Sequence, residues 1–173
     1  VVTTDDGFGP LVGKYLPTHR PGEFTVSEQN GRLAVELAPN PTVFELQPPD
    51  DEGKRYFLVS DQMAVSFERD EAGDVVVMKV YQSGREFESV RSGVELPSEI
   101  AADQLSRYLG TYRSETSDTT LEAFIQNNRL AINVPGRVIY ELHPPNEEGL
   151  WAFRIDSEGG VKFNETEGGR VIS

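Results

Sequence analysis

The chain has 173 residues, of which 37% are hydrophobic, and this length and composition indicate a globular protein of one ordinary domain or two small ones. With 29 acidic against 16 basic residues, the net charge is −13, so we expect no nucleic-acid partner, and no apolar stretch reaches the ~18 residues that membrane insertion needs. There is no cysteine and there are two histidines, His19 and His143, which excludes thiolate catalysis and leaves too few ligands for a multi-histidine metal centre.

Alternating apolar residues predict short β-strands through the first half of the chain. Leu33 and Val35, for example, share one face of a strand. Asn30-Gly31 is a type I′ turn signal, because both central residues of that turn need a positive φ. Pro48-Pro49 cannot donate ladder hydrogen bonds, so the fourth strand should end there. The predicted strands are 11–16, 22–29, 32–38, 42–47, 55–60, 64–69, 74–82 and 85–91.

Strands that follow one another at this regular spacing favour an all-β fold, an antiparallel up-and-down barrel that is closed or nearly closed. The inward residues are large, which favours a filled interior. A barrel of about eight strands can also hold one small ligand, so a cavity stays open as an alternative.

A short helix is predicted in the middle of the chain. Ser98 is placed to cap a helix that runs through Tyr108, and Gly110 would end it. Ile100, Leu105 and either Tyr108 or Leu109 would face inward. Such a helix would bridge the two halves of the chain or plug the open end of the second half.

The second half of the sequence repeats the first. Residues 29–35 (QNGRLAV) recur as 126–132 (QNNRLAI) at an offset of 97, and residues 44–49 (FELQPP) recur as 140–145 (YELHPP) at an offset of 96. The order of the matches is preserved with a single one-residue gap. Two tandem barrels are therefore predicted, at residues 1–96 and 97–173. The second lacks the residues that match the last two strands of the first.

Sequence patterns typical of catalysis are missing. Neither Ser-x-x-Lys nor Gly-x-Ser-x-Gly occurs. His19 and His143 lie beside proline-rich loops, where we expect solvated side chains, with a Ser–His–Asp site built on either one as the alternative. Acidic pairs such as Asp5-Asp6 and Glu147-Glu148 are typical of solvated loops, and residues 70–74 favour a hairpin turn over a calcium loop. We predict no catalytic residue, no metal site and no cofactor, and no ligand-binding residue is identified.

Aromatic residues recur at matching places in the two halves. Tyr15 and Tyr112 each follow a glycine by two positions. We expect them to pack at the closing end of each barrel with the hydroxyl bonded to the main chain, and a ligand contact is the alternative. Trp151 alternates in phase with Phe153 and Ile155, so it should lie in a core.

The recurring pattern combines Leu-x-x-Tyr-[Leu/Val]-Gly-x-Tyr (LSRYLGTY at residues 105–112), Asn-x-Arg-Leu, Glu-Leu-x-Pro, Val-x-Phe and an acidic-Gly turn. It resembles the small lipocalin-like β-barrel domain of unknown function that lies C-terminal to bacterial class C beta-lactamase-like serine hydrolases. In that family the catalytic machinery lies in the preceding domain. The resemblance implies a noncatalytic accessory module, periplasmic or extracellular, whose partner is a catalytic hydrolase domain of the same or another chain. The alternative is a lipocalin-like binder of a small apolar ligand.

Overall fold

The computed structural model describes residues 7–115 and 117–171. The chain divides into two compact units. The first unit comprises residues 7–17 and Pro21–Val94, and the second comprises Thr18–Arg20 and the described residues from Glu95 onward. Each unit has its own hydrophobic cluster.

The first unit is an antiparallel meander that closes almost completely. Its eight strands lie in the order β4-β3-β2-β1-β8-β7-β6-β5, so the first and last strands of the unit, β1 and β8, pair with each other. Beyond β4 and β5, an isolated bridge joins Leu46 to Phe57, which nearly closes the sheet into a barrel. The barrel predicted for this half is confirmed. The strands are β1 Gly13–Pro17, β2 Phe24–Gln29, β3 Arg32–Leu37, β4 Val43–Glu45, β5 Arg55–Phe57, β6 Ser60–Arg69, β7 Val75–Gln82 and β8 Arg85–Arg91.

Several strand ends differ from the predicted ranges by one to four residues, and at three of them a turn takes the place of the ladder. β1 starts at Gly13, since the N–H groups of Leu11 and Val12 donate to the carbonyl of Phe8 at 2.9 and 3.0 Å. A two-residue turn at 58–59 ends β5 at Phe57 and lets β6 begin at residue 60.

Bulky side chains fill the interior of the first barrel. Each is at most 5% exposed, and burying one such side chain stabilises a fold by about 1.5–3 kcal/mol. The period-two alternation of the strands directs these residues inward. They are Tyr15, Phe24, Val26, Leu33, Val35, Leu46, Phe57, Val65, Val75, Met78 and Val80.

The second unit contains smaller sheets. Its first four strands form a sheet of order β12-β11-β10-β9, and β13 and β14 form a separate hairpin. An isolated bridge between Leu142 and Phe153 lies between these two sheets. The second eight-strand barrel that the repeat predicts is not seen in residues 95–171. The elements are α1 Ala102–Leu105, a 3-10 turn at Ser106–Tyr108, β9 Gly110–Arg113, β10 Thr120–Gln126, β11 Arg129–Asn133, β12 Ile139–Glu141, β13 Leu150–Ala152 and β14 Gly160–Lys162.

The helix is shorter than predicted. It starts at Ala102, and the residue at its N-cap, Ala101, offers no side-chain cap. The prediction that Ser98 caps the helix is wrong, because the N-cap residue is Ala101. Before it, Ile100 packs against the core of the second unit. Leu105 is buried as predicted.

The helix packs on the core of its own unit, through Leu105 and through Ile100 just before it. Ile100 and Leu105 face Leu130, Leu142 and Trp151 across a space of only about 10 Å³, which is room for roughly one water molecule.

No helix among the described residues has the length and apolarity to cross a membrane.

Two pairs of leucines that the sequence repeat matches are equally buried in the two units. Leu33 and Leu130 are each 1% exposed, and Leu46 and Leu142 are each 2% exposed. Trp151 is buried in the second core, as its alternation predicts. The core of the second unit consists of Leu105, Ala123, Leu130, Ile132, Leu142 and Trp151.

Candidate functional site

The matched tyrosines have structural roles. The hydroxyl of Tyr15 donates to the carbonyl of Leu11 at 2.7 Å, and that of Tyr112 donates to the carbonyl of Tyr108 at 2.7 Å. Burial raises the pKa of both phenols, so both remain protonated donors at neutral pH. The predicted bond from each hydroxyl to the main chain is confirmed.

The two histidines lie in different surroundings. His143 is exposed after β12, as expected of a loop side chain. His19 is 9% exposed, so the expectation of a solvated side chain is wrong for it. Burial, with a smaller contribution from the Arg20 guanidinium, lowers the pKa of His19 to about 4. The ring is neutral at pH 7, but a general base must also reach a substrate proton, and a ring this buried is poorly placed to do so.

The sequence analysis missed a buried carboxylate, Glu141, which is 2% exposed. Its Oε2 accepts from Arg129 Nη1 at 2.9 Å, and its Oε1 accepts from Asn127 Nδ2 at 2.6 Å and from Gln126 Nε2 at 3.0 Å. Burying a charge costs several kcal/mol unless it is paired and hydrogen-bonded, and here both oxygens are bonded. The cluster fastens the β10–β11 turn to β12.

A weaker version of this cluster exists in the first unit. Glu45 accepts from Asn30 Nδ2 at 2.6 Å and lies 3.8 Å from Arg32 Nε. The signal for both clusters was present in the sequence, since Asn-x-Arg-Leu is followed by Glu-Leu in each half. Recurrence at the same place in two units indicates a structural role rather than acid–base chemistry.

Residues 70–74, where a calcium loop was the alternative to a hairpin turn, form a turn that hydrogen bonds close. In residues 70–74, Asp70 Oδ1 accepts from the N–H of Asp74 at 2.9 Å, and Thr166 Oγ1 accepts from Arg170 N at 3.1 Å in the matching turn. An oxygen of either type closes the turn without a cation. No group of three or more acidic or histidine side chains is arranged for a metal ion in the described ranges. The pair Asp5-Asp6 lies outside the described residues.

A pocket of about 400 Å³ lies in the first unit, with Leu33 and Leu46 among its apolar lining residues, and Phe8, Arg32 and Arg55 also line it. The matching leucines of the second unit face α1 instead. This pocket is one candidate ligand site.

A second cleft, of about 310 Å³, opens on one side of the second unit between β9 and β14. Its apolar lining consists of Tyr112, Leu121, Ile132, Val161 and Phe163. The charged side chains Arg113, Glu115 and Lys162 also line it.

Two strand edges flank this cleft. Among the described residues, β9 pairs only with β10 and β14 pairs only with β13. An unpaired edge presents main-chain N–H and C=O groups that can bond to another strand. We call β9, β14 and the cleft between them the open side of the second unit.

No protein-family model matches the chain, and no curated protein sequence matches it. The comparisons therefore assign no family, and the function has to be inferred from the residues and their geometry.

Proposed function

We propose that this chain is a noncatalytic accessory module of an exported bacterial serine hydrolase or peptidase, made of two tandem copies of one β-meander. It acts in the periplasm or outside the cell, where it docks on a catalytic domain or tunes access to it. The observation that carries this proposal is that the side chains that could take part in a reaction make structural hydrogen bonds instead. The tyrosine hydroxyls bond to the main chain, and Glu141 is locked in a buried cluster.

Matching main-chain hydrogen bonds support the proposed duplication. Gln47 N donates to Tyr56 O at 2.8 Å, and at matching positions His143 N donates to Ala152 O at 2.8 Å. The turns at 70–74 and 166–170 are closed in the same way. Independent sequences do not arrive at the same local bonds at a constant offset, so common descent of the two halves explains the pattern best.

An exposed apolar pair supports docking through the first unit. Leu58 and Val59, at the β5–β6 turn, are 45% and 75% exposed. At the matching positions of the second unit, Arg154 is paired with Glu99 and Ile155 is buried. The fold therefore does not require exposed apolar residues at this turn, and a partner surface that covers them would explain their presence.

The test starts from the coding sequence next to these residues, in the same or the adjoining reading frame. We expect it to encode a hydrolase domain with Ser-x-x-Lys, and we expect calorimetric titration to show that domain binding to this chain. Replacing both Leu58→Ser and Val59→Ser should weaken binding about tenfold or more, because apolar anchors dominate such interfaces. Leu16→Ser, at another exposed leucine, is the matched control.

Two results would contradict the accessory role. One is the absence of any catalytic domain from the neighbouring coding sequence. The other is hydrolysis of a chromogenic ester or β-lactam by this chain alone.

The pocket of the first unit that Leu33 and Leu46 line favours a second candidate function, the binding of a small apolar ligand. Its volume of about 400 Å³ is within the usual range of ligand sites. Titration with a fluorescent fatty acid would show saturable binding that Phe8→Arg abolishes. Absence of saturable binding would exclude this function, because the rest of the barrel interior is filled by side chains.

A further inference from the structure

The open side of the second unit exposes residues whose matches the first unit buries. Tyr112 and Val161 are partly exposed along the cleft, whereas Tyr15 and Val65 at the matching positions are each 0% exposed. The residue types are the same in each pair. The difference in exposure therefore comes from what covers them.

In the first unit, the hairpin β7–β8 provides the cover. β7 pairs with β6, and β8 pairs with β1. Met78 and Val80 of β7 enter the core and are 0% and 5% exposed. The hairpin thus satisfies both strand edges and covers the apolar residues between them.

The second unit contains a counterpart of the pair at which β7 begins to pair with β6. Glu165 and Val171 form an antiparallel bridge, at the positions that match the Arg69–Val75 pair between β6 and β7. Arg107 Nη2 anchors the turn between them by donating to Glu165 Oε2 at 2.6 Å and to the carbonyl of Gly169 at 2.8 Å. The segment that follows β14 is therefore held in the register that a further strand would need.

We propose that the open side binds a β-hairpin whose alternate side chains are bulky and apolar, in the antiparallel arrangement that β7 and β8 adopt in the first unit. Main-chain hydrogen bonds to β9 supply affinity, and the cleft receives the inward side chains. The cleft of about 310 Å³ takes those side chains while the strands themselves lie along the two edges. This inference does not depend on the assignment to a hydrolase.

The charges at the open side specify the hairpin further. Lys162 lies where the first unit has Ser66, whose cross-strand partner is Lys79. Arg113 lies where the first unit has Leu16, whose partner is Val90. Like charges directly opposite each other destabilise a sheet. The bound hairpin should therefore carry acidic residues at the two positions that match Lys79 and Val90.

One contact opposes entry of the hairpin. Asn164 Nδ2 donates to Glu115 Oε1 at 3.0 Å, and this bond links the loop after β9 to the segment after β14, so it must open. Replacing Asn164→Ala should therefore strengthen hairpin binding rather than weaken it.

The test uses a synthetic peptide of residues 78–91 with Lys79→Glu and Val90→Glu, titrated into the whole chain. We expect amide exchange at β9 to slow by about tenfold or more on binding. The unmodified peptide should bind more weakly. A peptide that also carries Met78→Asp and Val80→Asp is the matched control, and it should not bind because its inward side chains are charged.

A second measurement covers the case in which the free peptide does not form a hairpin. Residue 173 matches Val77, so a chain extended after Ser173 by a second copy of residues 78–92, with the same two substitutions, presents the hairpin in cis. We expect slower exchange at β9 and a higher urea midpoint for the second unit. If neither the peptide nor the extension protects β9, the proposal is wrong. If β9 protection in the unaltered chain rises with protein concentration, a second copy occupies the open side and the proposal is also overturned.

Discussion

At the residue scale, the two halves place the same residue types in unequal surroundings. Glu141 is buried against Arg129, whose side chain is 11% exposed, while Glu45 has a side chain that is 27% exposed and lies farther from Arg32. Removing one partner should therefore lower the free energy of unfolding more for the Glu141–Arg129 pair than for the Glu45–Arg32 pair, because burial sets the cost of leaving a charge unpaired.

We predict that Glu141→Gln destabilises the second unit by about 3–5 kcal/mol, because it leaves the Arg129 charge buried without a counter-charge. Glu45→Gln should cost less than about 1 kcal/mol, as is usual for more exposed pairs. Native-state amide exchange measures both, read at β11 for the first substitution and at β3 for the second. Equal losses in the two variants would show that burial does not decide the effect.

His19 makes stability depend on pH. Its pKa is about 4 when folded against 6.5 as its ordinary value, so the folded state binds fewer protons between these values. The contribution of His19 to the free energy of unfolding is fully present above pH 6.5. It is lost as the pH falls toward 4, by up to about 3 kcal/mol. Between pH 6.5 and pH 4, the free energy of unfolding of the second unit should therefore fall less in the His19→Gln variant than in the unaltered protein, by up to about 3 kcal/mol.

Urea unfolding at a series of pH values measures this difference, with the fluorescence of Trp151, the one tryptophan, reporting on the second unit. The carboxylates titrate in both proteins, so the comparison isolates His19. Identical pH profiles for the two proteins would contradict the account.

The sequence carried part of this information at the residue scale. Matching tyrosines predicted matching structural hydroxyls, and both are found. The burial of His19 was not predictable, because it lies between Pro17 and Pro21 in a segment without apolar periodicity. Its burial depends on tertiary packing, since Ile139 N donates to the His19 carbonyl at 2.9 Å.

At the element scale, helix α1 is the clearest difference between the ends of the two units. Leu105 packs into the core of the second unit, and the space beneath the helix is almost filled. We predict that Leu105→Ala destabilises this unit by about 2–5 kcal/mol, through loss of burial and creation of a cavity. Trp151 fluorescence in urea measures the change.

The matched control for this prediction is Gln104→Ala. Gln104 is exposed on the same helix, and alanine is a better helix former, so the substitution should change stability by less than about 0.5 kcal/mol. If Leu105→Ala had an effect this small, the helix would not plug the unit.

Strands were predicted well where turn residues mark their ends. β3 and β8 match the predicted ranges within one residue, because each follows a two-residue turn whose residues have positive φ, at 30–31 and at 83–84. The helix start was predicted wrongly: the helix begins at Ala102, and Ile100, just before the N-cap residue Ala101, packs against the core. Local signals thus fail where a neighbouring apolar residue has to reach a core.

At the scale of the whole molecule, the chain has two hydrophobic cores whose residues lie at matching positions of the sequence. The repeat predicts their residues, since Leu33 and Leu130, and likewise Leu46 and Leu142, lie in separate clusters. It also predicts a second barrel, which the described residues do not show. The reason is physical: β7 and β8 link β6 to β1 in the first barrel, whereas among the described residues no strand links β14 to β9.

The most direct test of the central claim is amide exchange across the whole chain in Leu33→Ala and in Leu130→Ala. Each substitution removes a side chain that is 1% exposed in one of the two cores, at a cost of about 2–5 kcal/mol. The account predicts that Leu33→Ala lowers protection in β1–β8 and that Leu130→Ala lowers it in β9–β14. Equal loss of protection throughout the chain after either substitution would indicate one continuous core and would contradict the account.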